Sequence, residues 1–422
     1  MSDVLILGGG LAGLACACEL TTRGVSCQIL EASDAVGGRV RTDVVDGFLL
    51  DRGFQVLLTA YPEAQRQLDY SALQLRAFAP GALVRFEGRF HSVVDPWRRP
   101  LGVFRTLASP IGSLGDKVKV ARLRQRVTRP PLESIFQSPD RSTLDYLRGC
   151  GFSSAMIERF FRPFFGGIFL ERELRTSSRM FEFVFRMFSL GNTALPAGGM
   201  GAIPQQLLQR LPAGTVRLGQ KAVKVGPSAV TMASGEELKA RAVVVATNAA
   251  AARQLLPQIP GLGSRGTACF YFAAEKPPVS QPILVLNGDG NGPINNLCVP
   301  SVVAQSYAPA GAHLVSATVI SEAPIAQSAR ASEQQLAAVQ NQLVDWFGED
   351  VRRWRHLRTD WIPDALPEQL PTAGVLAKDT LVQPGLYICG DHRETASING
   401  ALASGRSAAD AVADALGNGT SS

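Results

Sequence analysis

Residues 4–13 read Val-Leu-Ile-Leu-Gly-Gly-Gly-Leu-Ala-Gly, and this stretch decides the fold. The four apolar residues at its start show no polar alternation, which predicts a strand buried on both faces of a parallel sheet. Glycines follow in GxGxxG spacing, and residues 11–22 predict a helix. We interpret Gly8 as the turn out of the strand. Gly10 is then the point where the backbone can approach a phosphate, and Gly13 is where the helix packs against the sheet.

The start of this helix is expected to bind phosphate, because the N–H groups around Leu11 and Ala12 have no partner within the helix. A second strand, predicted over 25–30, ends on Glu31, which is followed by Ala32. The Glu31 carboxylate is placed to accept hydrogen bonds from a ribose 2′-hydroxyl, and its charge disfavours a 2′-phosphate. The order of strand, helix, strand and acid therefore predicts a dinucleotide site, with a structural glycine-rich turn as the alternative.

A second glycine pair favours FAD over NAD as the ligand. Gly38 and Arg39 belong to a Gly-Gly-Arg step that gives another close backbone approach and a guanidinium fork for a phosphate. NAD dehydrogenases do not need this element; the alternative is that Arg39 is a surface arginine. Residues 47–55 predict a strand that ends in a turn at Gly53, and Gly53 and Phe54 complete this part of the predicted site.

The far end of the chain predicts another strand over 386–390, ending on Gly390 and Asp391. A long helix is predicted from 397 to 416, rich in small residues, with Ile398 and Ala401 in its first turn. A helix N-terminus aimed at a flavin would stabilise the anionic reduced ring, and Asp391 could accept from a ribityl hydroxyl. The alternative is an ordinary C-terminal packing helix.

Together, these two stretches resemble the superfamily of flavin-dependent amine oxidases, protoporphyrinogen oxidases and phytoene desaturases. The segments 162–167 (Arg-Pro-Phe-Phe-Gly-Gly), 195–201 (Leu-Pro-Ala-Gly-Gly-Met-Gly) and 390–409 are more similar to the carotenoid desaturase branch than to monoamine oxidases. The resemblance implies an α/β fold: a Rossmann-like FAD-binding domain of the GR2 type with an inserted α+β substrate domain. It also implies that the backbone of Val223 meets the adenine, although a valine in a strand is ordinarily core.

The resemblance divides the chain into two domains. The FAD-binding domain is expected from residues 1–56, 196–265 and 366–422, because the buried run at 242–247 reads as a return to the nucleotide-binding sheet. Residues 57–195 and 266–365 are expected to form the substrate domain.

Half of the 20 phenylalanines lie within one short segment of the expected substrate domain. They are Phe152, Phe160, Phe161, Phe164, Phe165, Phe169, Phe181, Phe183, Phe185 and Phe188. Their spacing fits ordinary helix core, and their density also fits the lining of an apolar pocket or a membrane-contacting mouth.

A basic segment over 98–129 contains nine lysines and arginines and one acid, Asp116. With Val118, Val120, Leu123 and Val127 as an apolar side, it could dock on anionic lipid headgroups; a solvated helix face is the commoner explanation. Nucleic acid is a poor alternative, since no binding motif accompanies the charge.

Composition sets the remaining limits. The 422 residues are 46% hydrophobic and carry a net charge of +6, which excludes a disordered chain. No apolar run approaches the roughly 20 residues that a membrane-spanning helix needs. Because the first strand is predicted from residue 4, we expect no signal peptide. Seven cysteines without CxxC spacing favour a reducing compartment, so we expect a cytoplasmic protein, with a peripheral membrane contact left open. Four scattered histidines predict no metal site.

These features predict an FAD-dependent oxidoreductase that acts on a hydrophobic small molecule, in particular a carotenoid- or isoprenoid-like polyene. The expected reaction is desaturation or redox-assisted isomerisation by hydride transfer to flavin N5. The aromatic pair and the lysine that accompany amine oxidation in the relatives have no recognisable counterpart. A protoporphyrinogen- or amine-oxidase-type enzyme is the alternative within the class; a non-catalytic flavin protein that binds lipid or a partner is the alternative outside it. No catalytic acid or base is identified: His392 and Arg393 could face the flavin edge or form an exposed loop pair.

Overall fold

The glycine-rich turn lies at the end of a strand in a six-stranded sheet. This computed structural model describes residues 2–95, 97–98, 109–261, 263–321, 329–371 and 378–418. In spatial order, the sheet consists of Val216–Arg217, Cys27–Leu30, Val4–Leu7, Ala242–Val245, Leu386–Ile388 and Leu381–Gln383. All neighbours pair in parallel except the last two. The Val4–Leu7 strand is buried on both faces, and residues 242–245 do return to this sheet, as predicted.

Two helices, Leu11–Thr22 and Ile398–Asn418, pack closely against each other beside this sheet. A Cβ atom placed on Gly405 would lie 2.2 Å from the carbonyl oxygen of Ala12, so only glycine permits this contact. The small residues predicted in the C-terminal helix therefore bring the two ends of the chain together.

A second sheet of seven strands forms the other large layer. Its spatial order is Arg355–Pro367, Ser264–Ala274, His313–Ser321, Ile294–Cys298, Leu284–Asn287, Gly81–Phe86 and Arg89–Val94. Side chains alternate between the faces of each strand. On the Ser264–Ala274 strand, Phe270 and Phe272 pack in a cluster with residues of the Ala329–Phe347 helix, while Thr267 lies on the opposite face and lines a cavity.

Along the chain, between the Arg89–Val94 and Ser264–Ala274 strands of the second sheet, there is a group of helices. Its helices are Leu114–Thr128, Glu133–Gln137, Thr143–Gly149, Ser154–Met156, the π-helical turn Ile157–Phe161, Arg162–Phe169 and Ser178–Leu190. Phe161, Phe165 and Phe181 are fully buried here, and the ring centroids of Phe165 and Phe181 are 4.5 Å apart. Phe164 and Phe188 are only partly buried and line cavities, so the phenylalanine segment forms both core and pocket wall.

Shorter elements complete the described part of the chain. The strands are Thr42–Val45, Phe48–Asp51, Leu57–Leu58, Arg76–Ala77, Thr193–Leu195, Ala222–Val225, Ala229–Met232 and Glu237–Lys239. The helices are Pro62–Gln67, Ala202–Leu208, Ala249–Leu255 and Pro300–Val303, with 3-10 turns at Gln305–Tyr307, Glu349–Arg353 and Asp391–Arg393. The strand predicted over 47–55 is shorter than expected, because the chain leaves the hairpin after Asp51 and turns at Gly53, where φ is +83°.

The basic segment is only partly a solvated face. The Leu114–Thr128 helix begins with a capping box between Ser113 and the fully buried Asp116. Leu123 and Val127 enter the core, whereas Val118 is 53% exposed. Arg99 and Arg105 lie outside the described residues.

The sequence also led us to expect no membrane-spanning helix and a chain divided into two domains. Within the described ranges, no helix is both long and apolar enough to cross a bilayer. The division into two domains stays a prediction.

Candidate functional site

A cavity of about 880 Å³ opens beside the glycine-rich turn. It is lined by fifteen of the sixteen residues that the sequence predicts for the cofactor: Gly8, Gly10, Leu11, Ala12, Glu31, Ala32, Gly38, Arg39, Gly53, Phe54, Val223, Gly390, Asp391, Ile398 and Ala401. These residues are separated by up to 393 positions in the chain, and the fold brings them to one place. The remaining predicted residue, Gly13, lies behind the turn and does not line the cavity.

The three glycines of the motif are required for three different reasons. Gly8 has a φ of +109°, which side-chain-bearing residues rarely adopt. A Cβ on Gly13 would lie 2.0 Å from the Gly8 carbonyl oxygen, so Gly13 allows the helix to pack against the turn. A Cβ on Gly10 would meet no atom within 4 Å. Gly10 therefore keeps the cavity clear for a ligand rather than avoiding a clash.

The start of the Leu11–Thr22 helix fits an anionic group. Gly10 is its N-cap, and no side chain caps the free N–H groups of the first turn. The helix dipole adds a partial positive charge at this end. A pyrophosphate would satisfy these donors, and the open space above Gly10 would admit it.

Glu31 is held in place by its own neighbours. One carboxylate oxygen accepts from the N–H of Gly9 at 2.6 Å, and the other accepts from the N–H and the hydroxyl of Ser33 at 2.8 and 2.7 Å. The carboxylate is therefore fixed at the cavity wall, where it can accept from a ribose hydroxyl. Val223 lines the same cavity with its side chain 52% exposed, so its interpretation as ordinary core is wrong.

Arg39 is paired inside the protein rather than free at the surface. Its guanidinium donates to Asp391 Oδ1 at 2.6 Å and to the carbonyl oxygen of Ala365 at 2.9 Å. Asp391 is only 6% exposed, and both partners line the cavity. The ion pair places a guanidinium and a carboxylate side by side. The guanidinium suits a phosphate, and the carboxylate suits the hydroxyl groups of a neighbouring polyol.

The first turn of the Ile398–Asn418 helix forms another wall of the cavity. Ser397, Ile398 and Ala401 line it, and the N–H of Gly390 is held by Ser404 Oγ at 3.0 Å. Tyr61 lies at the same wall, with its ring stacked on Phe183. Burial raises the pKa of Tyr61 well above its ordinary value, so its hydroxyl stays neutral. The sequence analysis missed Tyr61, because a single tyrosine before a short helix carries no recognisable spacing.

His392 is buried, so its interpretation as half of an exposed loop pair is wrong. Among the described residues, neither ring nitrogen of His392 has a hydrogen-bond partner. Burial lowers its pKa to about 4, which makes the imidazole neutral at pH 7. His392 follows Asp391 in the chain but does not itself line the cavity, so its unpartnered imidazole is not placed among the cofactor contacts.

The other end of the cavity is mainly apolar. Phe54, Val56, Phe164, Ile168, Phe188 and Leu284 line it and also line a second cavity of about 290 Å³. The second cavity extends to Trp97, Arg98, Lys117 and Arg124. Three polar residues, Thr267, Asn296 and Thr318, also line the first cavity. The sequence analysis missed them, since isolated threonines are typical of ordinary β-strands and a single asparagine beside them carries no recognisable spacing.

The titratable side chains that line the larger cavity are few. In the described part of the chain they are Glu31, Arg39, Arg52, Tyr61, Lys221 and Asp391. Lys221 directly precedes the Ala222–Val225 strand, which carries Val223. The N–H of the preceding residue, Gln220, donates to the carbonyl oxygen of Glu31. The cavity therefore offers charge where a dinucleotide would lie. Phe164, Ile168 and Phe188 bring no titratable group to its apolar part.

Comparison with known proteins agrees with this arrangement. Residues 11–413 match the family described as flavin containing amine oxidoreductase. A coproporphyrinogen III oxidase of Propionibacterium freudenreichii subsp. freudenreichii is 35% identical over 78 residues, which are 18% of this chain and 15% of that protein. A 4,4'-diapolycopene oxygenase of Methylomonas sp is 43% identical over 54 residues, which are 13% of this chain and 11% of that protein. The chain thus spans less than a sixth of the length of these curated relatives.

A solved structure of an oxidoreductase from Methanosarcina mazei shares the fold. Its TM-score is 0.69 at 18% identity, and the likeness covers 96% of this chain and 99% of that chain. The α/β fold and the superfamily predicted from the sequence are confirmed. Because the family match extends over nearly the whole chain, the protein belongs to the flavin containing amine oxidoreductase family.

Proposed function

We propose that the chain oxidises an elongated hydrophobic molecule, a carotenoid- or isoprenoid-like polyene, by desaturation or redox-assisted isomerisation. The observation that carries this proposal is the aromatic second cavity, which shares six lining residues with the cofactor cavity. A long apolar substrate could lie in the second cavity while one of its C–H bonds reaches the flavin. Burying such a molecule is favourable by about 25 cal/mol per Å² of apolar surface.

The cofactor contacts are part of the same proposal. The N–H groups at the start of the Leu11–Thr22 helix would hold the pyrophosphate, and Glu31 would hold the ribose. Arg39 and Asp391 would bind the phosphate and ribityl region. The start of the Ile398–Asn418 helix would face the isoalloxazine.

When bound, the flavin supplies a two-electron acceptor for a hydride. The chain's own residues position the substrate and exclude water. Phe164, Ile168 and Phe188 make an apolar wall, in which a C–H bond can be held without competing hydrogen bonds. The six residues shared by the two cavities include no titratable side chain, and Asp95, Arg98, Lys117 and Arg124 line the second cavity alone. The part of the wall next to the cofactor region therefore favours oxidation of a hydrocarbon over a reaction that needs a general base.

The same wall argues against an amine substrate. A protonated amine would need a carboxylate. The carboxylates that line the larger cavity in the described chain, Glu31 and Asp391, belong to the dinucleotide region, and Asp95 at the second cavity is paired with Arg98 at 3.7 Å. A porphyrinogen-type substrate is the second candidate, because it carries carboxylates. Arg98, Lys117 and Arg124 line the second cavity and could receive them. The same cations, with Val118 exposed nearby, could meet anionic lipid at a peripheral membrane contact.

The test begins with an absorption spectrum of the purified protein. Oxidised-flavin bands, and FAD released by heat, would show a non-covalently loaded enzyme. Anaerobic mixing with a polyene in detergent micelles should then bleach the flavin. Protoporphyrinogen and a primary amine serve as parallel substrates. Bleaching by either of these and not by polyenes would reject the polyene substrate. A flavin that no reductant, oxygen or quinone changes would favour the non-catalytic binding protein.

A further inference from the structure

A chain of buried side-chain amides ends at the apolar part of the cofactor cavity. The side-chain nitrogen of Asn295 donates to the carbonyl oxygen of Pro163 at 2.9 Å and to Asn296 Oδ1 at 2.9 Å. Asn296 Nδ2 in turn lies 3.3 Å from Thr318 Oγ1. Asn295, Asn296 and Thr318 are only 3 to 5% exposed, so these bonds lie inside the protein rather than at its outer surface.

The donor and the acceptor of each hydrogen bond in this series follow from the carbonyl group of Pro163, with which the series begins. The carbonyl of Pro163 can only accept, so the Asn295 group facing it must be the NH2. That NH2 also faces Asn296, which must therefore present its oxygen. The Asn296 NH2 is then left to face Thr318, and it can only donate. The Thr318 hydroxyl oxygen is consequently the acceptor, and its hydrogen must point elsewhere.

That hydrogen has no partner in the part of the chain that the structure describes. Among the residues that the structure describes, no acceptor receives the Thr318 hydroxyl hydrogen. The neighbouring Thr267 differs, because its hydroxyl already donates to the carbonyl oxygen of Val319 at 3.0 Å. Both threonines line the cavity. Thr318 therefore presents one spare donor to it.

Gly167 is what allows the amide chain to reach this place. A Cβ on Gly167 would lie 2.8 Å from Asn295 Nδ2 and 2.9 Å from Asn296 Oδ1, so any larger residue would displace the two amides. Beyond Gly167, the cavity wall is apolar, with Ile168 and Leu284. A buried donor without a partner in such a setting is unfavourable, and a ligand that accepts its hydrogen bond would relieve that cost.

We propose that the substrate carries one oxygen acceptor, a keto, hydroxyl or ether oxygen, which receives a hydrogen bond from Thr318. This inference rests on the proposed function, in that it takes the cavity to hold an apolar substrate. It narrows that substrate from a pure hydrocarbon to an oxygenated apolar molecule. Thr318 is a specificity-determining residue: it orients the molecule and does not act on the reacting atoms.

The test uses the FAD-loaded protein and two small probes of matched shape, 2-acetylnaphthalene and 2-isopropylnaphthalene. They differ by a ketone oxygen in place of a methyl group, and neither is a polyene. Dissociation constants are measured by calorimetry for the wild type, Thr318→Val, Thr318→Ser and Thr267→Val. A neutral hydrogen bond corresponds to a change of about fivefold to tenfold in affinity. We expect the wild type to prefer the ketone by that factor, Thr318→Val to lose the preference, and Thr318→Ser and Thr267→Val to retain it.

Two results would overturn the inference. The first is a wild type without a ketone preference, or a preference that survives in Thr318→Val. The second is a change in the flavin spectrum or in FAD affinity of Thr318→Val without any probe, which would mean that the hydroxyl bonds the cofactor. The polyene substrate is judged separately by anaerobic bleaching, so a failure there is distinguishable from a failure here.

Discussion

Replacing Asp51 by asparagine should remove a specific pH dependence of stability. Asp51 is 6% exposed and accepts from the Thr42 hydroxyl at 2.5 Å, the Met200 N–H at 2.9 Å and the Tyr307 hydroxyl at 2.8 Å. Burial raises its pKa from 3.8 to about 6 despite these donors. The folded protein therefore holds a proton on Asp51 between these two pKa values, where the unfolded chain does not.

The sign and size of the effect follow from proton linkage. A carboxyl whose pKa is raised on folding contributes stability that is fully present below pH 3.8 and is lost as the pH rises through about 6. With those two pKa values, the contribution is about 1.4 kcal/mol at pH 5 and about 0.1 kcal/mol at pH 7. The unfolding free energy of the wild type minus that of Asp51→Asn should therefore fall by about 1.3 kcal/mol from pH 5 to pH 7.

Two measurements check this. Urea unfolding of both proteins at a series of pH values gives the difference, and infrared spectroscopy follows the carbonyl stretch of a protonated carboxyl, which should titrate near pH 6 and be missing in Asp51→Asn. Asp116→Asn is the matched control. Although burial opposes it, hydrogen bonds from Ser153 and Ser113 hold the pKa of Asp116 well below its usual range. The contribution of Asp116 to the free energy of unfolding is therefore constant between pH 5 and pH 7. A difference for Asp51→Asn that is equally flat would refute the reasoning.

Four further changes have expected outcomes. The Gly10→Val variant should fold, because a Cβ at this position meets no atom within 4 Å. It should weaken FAD binding by about 100-fold, because the side chain fills the space above the start of the helix. Fluorescence titration of the apoprotein with FAD measures this affinity, and an unchanged affinity would count against a phosphate at this position. Arg39→Lys should weaken FAD binding about tenfold, because lysine cannot hold Asp391 and the Ala365 carbonyl together; equal FAD release rates would contradict it. Phe181→Ala should destabilise the protein by about 3–5 kcal/mol in urea unfolding, as a fully buried ring is lost; a cost below about 1 kcal/mol would mean that the cluster collapses around the gap. Phe188→Trp should raise the KM for a long polyene by about tenfold while the flavin spectrum stays the same, because Phe188 lies where the two cavities adjoin; an unchanged KM would place the substrate elsewhere.

The sequence predicts the cofactor end of the cavity much better than its apolar end. Gly8, Gly13 and Glu31 could be identified because backbone conformation, close packing and charge each demand one residue type at a fixed spacing. Thr318 and Tyr61 could not be identified, because their role depends on which strands and helices meet in space. The pairing of Arg39 with Asp391 was equally hidden, since nothing in either local motif names the other as partner. His392 illustrates a third limit: its burial follows from the packing of the last strand and helix, and the polar loop around it suggested exposure.

The Arg39–Asp391 pair joins positions 352 residues apart, and it has a consequence for the order of events during synthesis. The Val4–Leu7 strand pairs on one side with Cys27–Leu30 and on the other with residues 242–245, and the second half of the cofactor wall is supplied by residues 390–401. The cavity therefore cannot close around a cofactor until residues 390–401 have been translated, however early the Leu11–Thr22 helix forms. Truncation of the last helix should yield a protein that fails to retain flavin even with every N-terminal glycine intact.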